Sequence, residues 1–402
     1  MSANRLDALP VGRRVAYWRG RRKLSQQVFA DRLGKSKSWV DKVERGVRTL
    51  DKVTTLHEIA AVLRIDTAVL LARDGQPTET SERGEGVEQV RAALSRYEVP
   101  LDRPAAHRSI LPVDQVARQV AHAWTTFQHA RYPQLTDLLP DLLAEAERTH
   151  SDAPIAGRVP LVETYRITAA LLVKLGDPDL AWLAVDRAMN AATGDPVLVA
   201  AAAVQLGQVL RACGQARVAK SAMLAAAYRV APPVIEFGLP PALSLCGTLL
   251  VQAALAAASQ GDARTADDLL DEAAVLAAHV NDGHDHYRTG FGATAVDLAR
   301  TAVAVELGDV RNAVTWHETA VRRDGWRRLA TEHRAAHLVD TARAYLHADD
   351  PINAGRLLID VDRIAPAEMR QRPAARDLLA QIARDPRTPT TITELAVTLG
   401  LG

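Results

Sequence analysis

Residues 24–46, LSQQVFADRLGKSKSWVDKVERG, spell two short helices and the turn between them. Ser25 stands where an N-cap is needed, just before Gln26 and Gln27, and Val28, Phe29 and Leu33 recur on one face of the helix that follows. Gly34 ends that helix, because glycine enters the left-handed conformation without a steric penalty. Ser36 then caps a second helix, Lys37 to Arg45, which Gly46 stops. Working outward, Val11 to Lys23 reads as a basic amphipathic helix, with Val11, Val15 and Trp18 on one face and Arg13, Arg14, Arg19, Arg21 and Arg22 around the rest. On the other side, Asp51 to Leu63 and Asp66 to Ala72 read as two more short helices.

Five short helices with a tight turn between the second and third form a helix-turn-helix domain. The charge distribution agrees. Residues 1–73 carry 16 Lys and Arg against 7 Asp and Glu, a net +9, while the remainder carries 33 against 41, a net −8, within a chain total of +1. One end suits a polyanion and the other does not. Leu24-Ser25-Gln26, Phe29-Ala30, Leu33-Gly34, Ser36, Val40 and Glu44-Arg45-Gly46 resemble the phage-repressor (Xre-type) helix-turn-helix family over the first 72 residues.

The resemblance implies that the helix capped by Ser36 enters the major groove of double-stranded DNA with its N-terminal residues at base edges. Lys37 and Ser38 then project at the bases, Lys42 reaches a base or a phosphate one turn later, and Gln26 contacts the backbone at its own helix start. Lys23, Lys35, Arg45 and Arg48 are phosphate candidates. Trp39 departs from the small polar residue often found there; it either covers a phosphate or sugar or packs on the fourth helix. Asp41 faces the groove wall or pairs with Lys42. A single module of this kind touches few phosphates, so a homodimer on a two-fold operator is expected.

Asp74 to Gly86, DGQPTETSERGEG, has no large apolar residue and the composition of a flexible linker, which divides the chain into 1–73, 74–86 and 87–402. Beyond it, Gly176, Gly214, Gly261, Gly308 and Asp349 anchor an internal repeat. Five residues after the anchors stand Ala181, Ala219, Ala266, Ala313 and Ala354; twelve after stand Ala188, Ala226, Ala273, Ala320 and Val361; seven before stand Ala169, Gly207, Ala254, Thr301 and Ala342. Small residues at these offsets let antiparallel helices approach closely. The pattern resembles the tetratricopeptide repeat, although the anchors lie 38, 47, 47 and 41 residues apart, wider than the ~34 of that family. Val113 to His129 with Tyr132 to His150 reads as a degenerate first pair, and Asp377 to Arg384 and Thr391 to Leu399 read as terminal caps.

The fold expected is therefore all-α: a five-helix Xre-type domain followed by a tetratricopeptide-like α-superhelix. In such a superhelix the first helix of each pair lines the concave face. Counting from the anchors puts Arg166, Lys174, Gln208, Arg211, Gln252, Glu306, Arg343 and His347 on or near it, with Arg166, Gln208, Arg211 and Gln252 as the preferred ligand cluster and Arg343 beside them. The combination of domains resembles the multi-repeat regulators of Gram-positive bacteria, which include peptide-pheromone receptors and a large set in high-GC genomes, and Tyr287 to Gly292, Glu306 to Asp309 and Asp340 to Tyr345 resemble the latter set. That resemblance implies a transcriptional regulator whose repeats take a peptide, small-molecule or protein effector. A sensing domain and a protein-docking scaffold are the two readings.

The remaining signals argue against other classes. Cys213 and Cys246 lie in apolar helical patterns, so neither a disulfide framework nor a cysteine metal site is expected. His279, His284 and His286 with Asp282 and Asp285 crowd one stretch at spacings that fit no standard metal site. His333, His337 and Asp340 share a helix without a nucleophile or a phosphate loop, so neither an enzyme nor a cofactor is expected. The longest largely apolar run, Ala242 to Ala258, is interrupted by Ser244, Thr248 and Gln252 and reads as short of a membrane span, and the N-terminus lacks an apolar signal region; a cytoplasmic protein without membrane partners is expected.

Overall fold

The computed structural model describes residues 11–22, 24–46, 53–63, 79–96 and 109–401, which fall into two units, 1–82 and 83–402. In the first unit the helices are α1 (Val11–Arg21), α2 (Gln26–Arg32), α3 (Lys37–Glu44) and α4 (Val53–Leu63). The caps form as their residue types require: Ser25 Oγ accepts the Val28 N–H at 3.2 Å and Ser36 Oγ accepts the Trp39 N–H at 3.1 Å. Val15, Phe29, Val40, Ile59 and Leu63 pack as the core of this unit. Gly12 sets the crossing of α1 and α3, since a Cβ there would lie 2.0 Å from the Val43 carbonyl oxygen.

Three expectations change. Val28, read as a core residue, is 42% exposed, because the face of α2 that meets the core is narrower than the apolar pattern suggests. Arg14, placed off the apolar face of its helix, is buried at 3% exposure. The stretch read as a linker through Gly86 is helical from Glu79 onward, in α5 (Glu79–Leu94), whose Val90 and Leu94 are fully buried. Gly86 reads as a linker glycine but serves close packing: a Cβ there would lie 2.4 Å from Thr136 Cγ2. The fifth helix expected over Asp66 to Ala72, together with Lys23 and Arg48, lies outside the described residues.

The second unit is built of helix pairs: α6 (Val113–Gln128) with α7 (Tyr132–Asp152), α8 (Arg158–Leu175) with α9 (Pro178–Ala192), α10 (Pro196–Ala212) with α11 (Ala216–Val230), α12 (Pro240–Ala258) with α13 (Ala263–Ala277), α14 (Ala293–Glu306) with α15 (Val310–Arg322), and α16 (Thr331–His347) with α17 (Pro351–Ile364). The short α18 (Pro366–Gln371), α19 (Pro373–Ala383) and α20 (Thr390–Thr398) follow. All five repeat anchors take left-handed backbone, with φ of 81°, 72°, 75°, 76° and 59° at Gly176, Gly214, Gly261, Gly308 and Asp349. At four of these turns the next residue, Asp177, Asp262, Asp309 or Asp350, caps the second helix through its carboxylate. The alanines five residues past each anchor are all fully buried, which is why the register demands small side chains there.

Each first helix packs on its own partner and on the next first helix. The array then meets its own beginning, with α16 against α6 and α18 against α7, and the buried side chains of the early and late pairs join in one cluster. Among the described residues, one helix, Pro240–Ala258, is long and apolar enough by length and composition to cross a membrane, beyond what the interrupted sequence run suggests, and 78% of its apolar window is buried among neighbouring helices.

Candidate functional site

In the first unit, exposed basic residues run along α3 from just before its start to its C-cap. Lys35, Ser36, Lys37, Ser38, Lys42 and Arg45 are all exposed, while Trp39 is partly buried and packs on the core of the unit. Glu44 of the Glu-Arg-Gly terminator is a buried clamp: its carboxylate accepts Arg19 Nε at 2.6 Å and Gln26 Nε2 at 2.8 Å. Gln26, expected at the DNA backbone, thus ties the start of α2 to the end of α3 through its amide. Asp41 pairs with Arg45 at 2.9 Å rather than with Lys42, leaving the Lys42 ammonium outside that pair. Two exposed lysines and a serine over the first turn and a half of a rigidly seated helix can donate to phosphate oxygens and to acceptors on base edges.

In the second unit, a cavity of about 360 Å³ opens between the helix pairs. Among the described residues, its α-helical lining comes from the first helices, α6, α8, α10, α12, α14 and α16, joined by Arg288, by loop residues such as Phe291 and by Arg372. Lys174, Gln208, Arg211 and Gln252, which the repeat register places on the concave face, all line it, and Arg211 Nη1 donates to Gln252 Oε1 at 3.1 Å. Arg343 does not line it and faces Glu306 at 3.6 Å and Asp340 at 3.9 Å. Arg166 is wholly buried outside the cavity. Its guanidinium donates to Gln205 Oε1 at 2.8 Å and to the Tyr287 carbonyl at 2.9 Å, pairs with Glu163, and lies 5.4 Å from the Trp124 ring. A buried arginine with this many partners staples α8 to α10 and to the 281–292 loop.

The wall where the array closes carries a buried ionic cluster that the sequence pattern does not announce. Glu368 accepts from Tyr132 Oη at 2.5 Å, Lys174 Nζ at 2.8 Å and Arg372 Nη1 at 3.3 Å, and Lys174 also meets Glu332 at 2.5 Å. Burial would raise the Glu368 pKa, but Lys174 and Arg372 outweigh it and hold the carboxyl at about 2. The only sequence signal was a set of charged residues inside apolar helical stretches. In the 281–292 loop, Asp282 accepts from Thr294 and Asp285 accepts from Gln128 Nε2 at 2.6 Å, so both carboxylates tie the loop down.

His317 Nδ1 and His337 Nε2 lie 2.9 Å apart, and both rings are buried. Burial pushes both pKa values down, that of His337 to about 3, with His317 adding to the effect on His337 and Glu318 opposing it on His317. Unfolded, both imidazoles titrate near their ordinary ~6.5. Below that pH the unfolded chain binds protons that the folded chain refuses, so stability is full above it and falls with acid by ~1.4 kcal/mol per pH unit for His337. Between pH 7 and 5 the urea unfolding free energy should drop by about 2 kcal/mol from this group alone. A His337→Asn variant should show a smaller drop; an equal drop would exclude the pair as the cause.

Residues 10–73 match the model of a family described as a helix-turn-helix domain. With the exposed basic residues of α3, this identifies residues 10–73 as a helix-turn-helix DNA-binding domain, which supports reading the chain as a DNA-binding transcriptional regulator, and a helical-repeat domain follows. Among solved structures it is similar to BtubC (BKLC) from P. vanneervenii, at 20% identity and a TM-score of 0.38 over 63% of this chain and 91% of that one. It is also similar to PlcR of Bacillus thuringiensis, solved in complex with the peptide PapR7 and DNA, at 13% identity and a TM-score of 0.35 over 78% of this chain and 99% of that one. No curated protein matches the chain.

Proposed function

We propose that the repeat domain senses a peptide or small-molecule effector in its cavity and thereby controls a pair of DNA-binding heads, the chain acting in the cytoplasm as a homodimer on two half-sites. The observation that carries this reading is the cavity's lining, to which the first helix of all six pairs contributes. A small change in the stacking of pairs accumulates along such an array. Half-site spacing is a fixed geometric demand on a dimer, so a modest change suffices to alter operator affinity. Lys37, Ser38 and Lys42 read the operator, with Lys35, Ser36, Arg45 and Arg48 at phosphates, Gln26 positioning α3 and Trp39 shielding the sugar-phosphate edge from its partly buried seat.

The test is operator affinity of the purified protein with and without small-molecule fractions of host extract. A fraction that changes the affinity supports sensing, and no change with any fraction counts against it. A protein-docking reading has one observation in its favour, the apolar loop before α12, where Phe237 is 85% and Leu239 is 73% exposed. Affinity capture separates the two: a stoichiometric protein partner favours docking, and a small species that co-purifies favours sensing.

A further inference from the structure

Among the described residues, four cations line the cavity, and three of them are already matched. Lys174 meets Glu332 and Glu368, Arg372 meets Glu368 at 3.3 Å, and Arg288 meets Asp285 at 3.6 Å. Arg211 differs. Among the described residues no carboxylate lies within 4.0 Å of it, and of its five N–H donors one is used, on the neutral Gln252 amide. Glu306 and Asp340 act on it from farther away, but both also face Arg343. Burial is the larger influence and draws the Arg211 pKa downward despite them. A partly buried guanidinium with spare donors and no close counter-ion is costly unless something else supplies the charge.

The surroundings specify what that is. Gln208 sits one turn before Arg211 on α10, and Gln252 stands beside them on α12, so two carboxamides flank the guanidinium. The Gln252 oxygen is taken by Arg211, which leaves its N–H₂ as a donor toward the same region. Among the described residues, the two carboxylates that line the cavity are engaged elsewhere, Glu332 by Lys174 and Asp340 by Arg343. Much of the remaining wall is apolar, with Trp124, Phe127, Val204, Val251, Leu298 and Phe291. The volume of about 360 Å³ falls at the lower end of small-molecule sites. A volume of this order suits a small molecule better than a long stretch of extended chain, which gains ~3.3–3.6 Å with each residue.

We propose that this chamber binds a compact organic acid, its anionic head on Arg211 between Gln208 and Gln252 and its apolar or aromatic body against the Trp124, Phe127 and Phe291 wall. The inference rests on the sensing reading only for its regulatory meaning; the site stands or falls by itself. The full chain is titrated with 1-anilinonaphthalene-8-sulfonate and, separately, with the uncharged N-phenyl-1-naphthylamine. The anionic probe should bind at one site per chain. Arg211→Gln should weaken it about ten- to a hundred-fold, as expected for loss of a charge-assisted hydrogen bond, while the neutral probe changes little. In the unaltered protein, octanoate should displace the anionic probe and 1-octanol should not, a readout that needs no variant to fold. Absence of anionic-probe binding, an unchanged affinity in Arg211→Gln, or equal displacement by the alcohol would overturn the site. Displacement by octanoate without any change in operator affinity would retain the site and remove its regulatory role.

Discussion

Replacing Glu368 by Ala is expected to lower the unfolding free energy of the repeat domain by about 3–5 kcal/mol, the usual cost of removing one partner of a buried ionic group. The carboxylate is wholly buried and serves three donors, Tyr132 from α7, Lys174 from α8 and Arg372 from the loop before α19. Without it Lys174 keeps Glu332, but the buried end of Arg372 and the Tyr132 hydroxyl lose their acceptor. Early and late pairs meet at this cluster, so the loss should be accompanied by faster hydrogen exchange in α6 and α7. Because the Glu368 pKa is held below its ordinary value, at about 2, its contribution is present above pH ~4.5 and lost only as pH falls toward 2. The acid sensitivity between pH 7 and 5 therefore belongs to the histidine pair and should persist in the Glu368 variant. A cost below about 1 kcal/mol in urea unfolding would mean that the cluster does not hold the array closed.

The second large effect is on DNA. Changing Lys37 and Lys42 together to Ala should weaken operator binding by about thirty- to twenty-thousand-fold, from two contacts at ~1–3 kcal/mol each. Both lie on the exposed side of α3 and neither contributes to the core of its unit, so the thermal unfolding of the head should be unchanged. The salt dependence separates their roles. A lysine on a phosphate lowers the slope of log K against log salt by about 1, whereas one on a base edge relaxes the sequence preference at a single position. Full retention of affinity in fluorescence anisotropy would remove α3 from the groove.

How much of this was legible in the sequence follows from range. Caps, turn glycines and the alanine register act over a few residues, and Ser25, Ser36, Gly176 and Ala181 could be read directly because each has one physical reason to be where it is. The repeat register put Lys174, Gln208, Arg211 and Gln252 on the concave face, a local property of a helix, and these residues line the cavity. Arg166 has the same register logic but is swallowed by Gln205 and Tyr287, contacts 39 and 121 residues away that no periodicity encodes. The closure through Tyr132 and Glu368, 236 residues apart, was equally invisible. Gly86 was misread for the reverse reason: composition suggested freedom, and a neighbour in space, Thr136, required the missing side chain.

The central claim, a helix-turn-helix regulator that reads sequence through the start of α3, is tested most directly by selecting bound DNA from random duplexes with the full chain and with its Lys37→Ala variant. Enrichment of one sequence in two inverted half-sites by the full chain, with the preference relaxed at matching positions in each half-site by the variant, is the expected result. No enrichment by the full chain, or an identical preference in the variant, would contradict it.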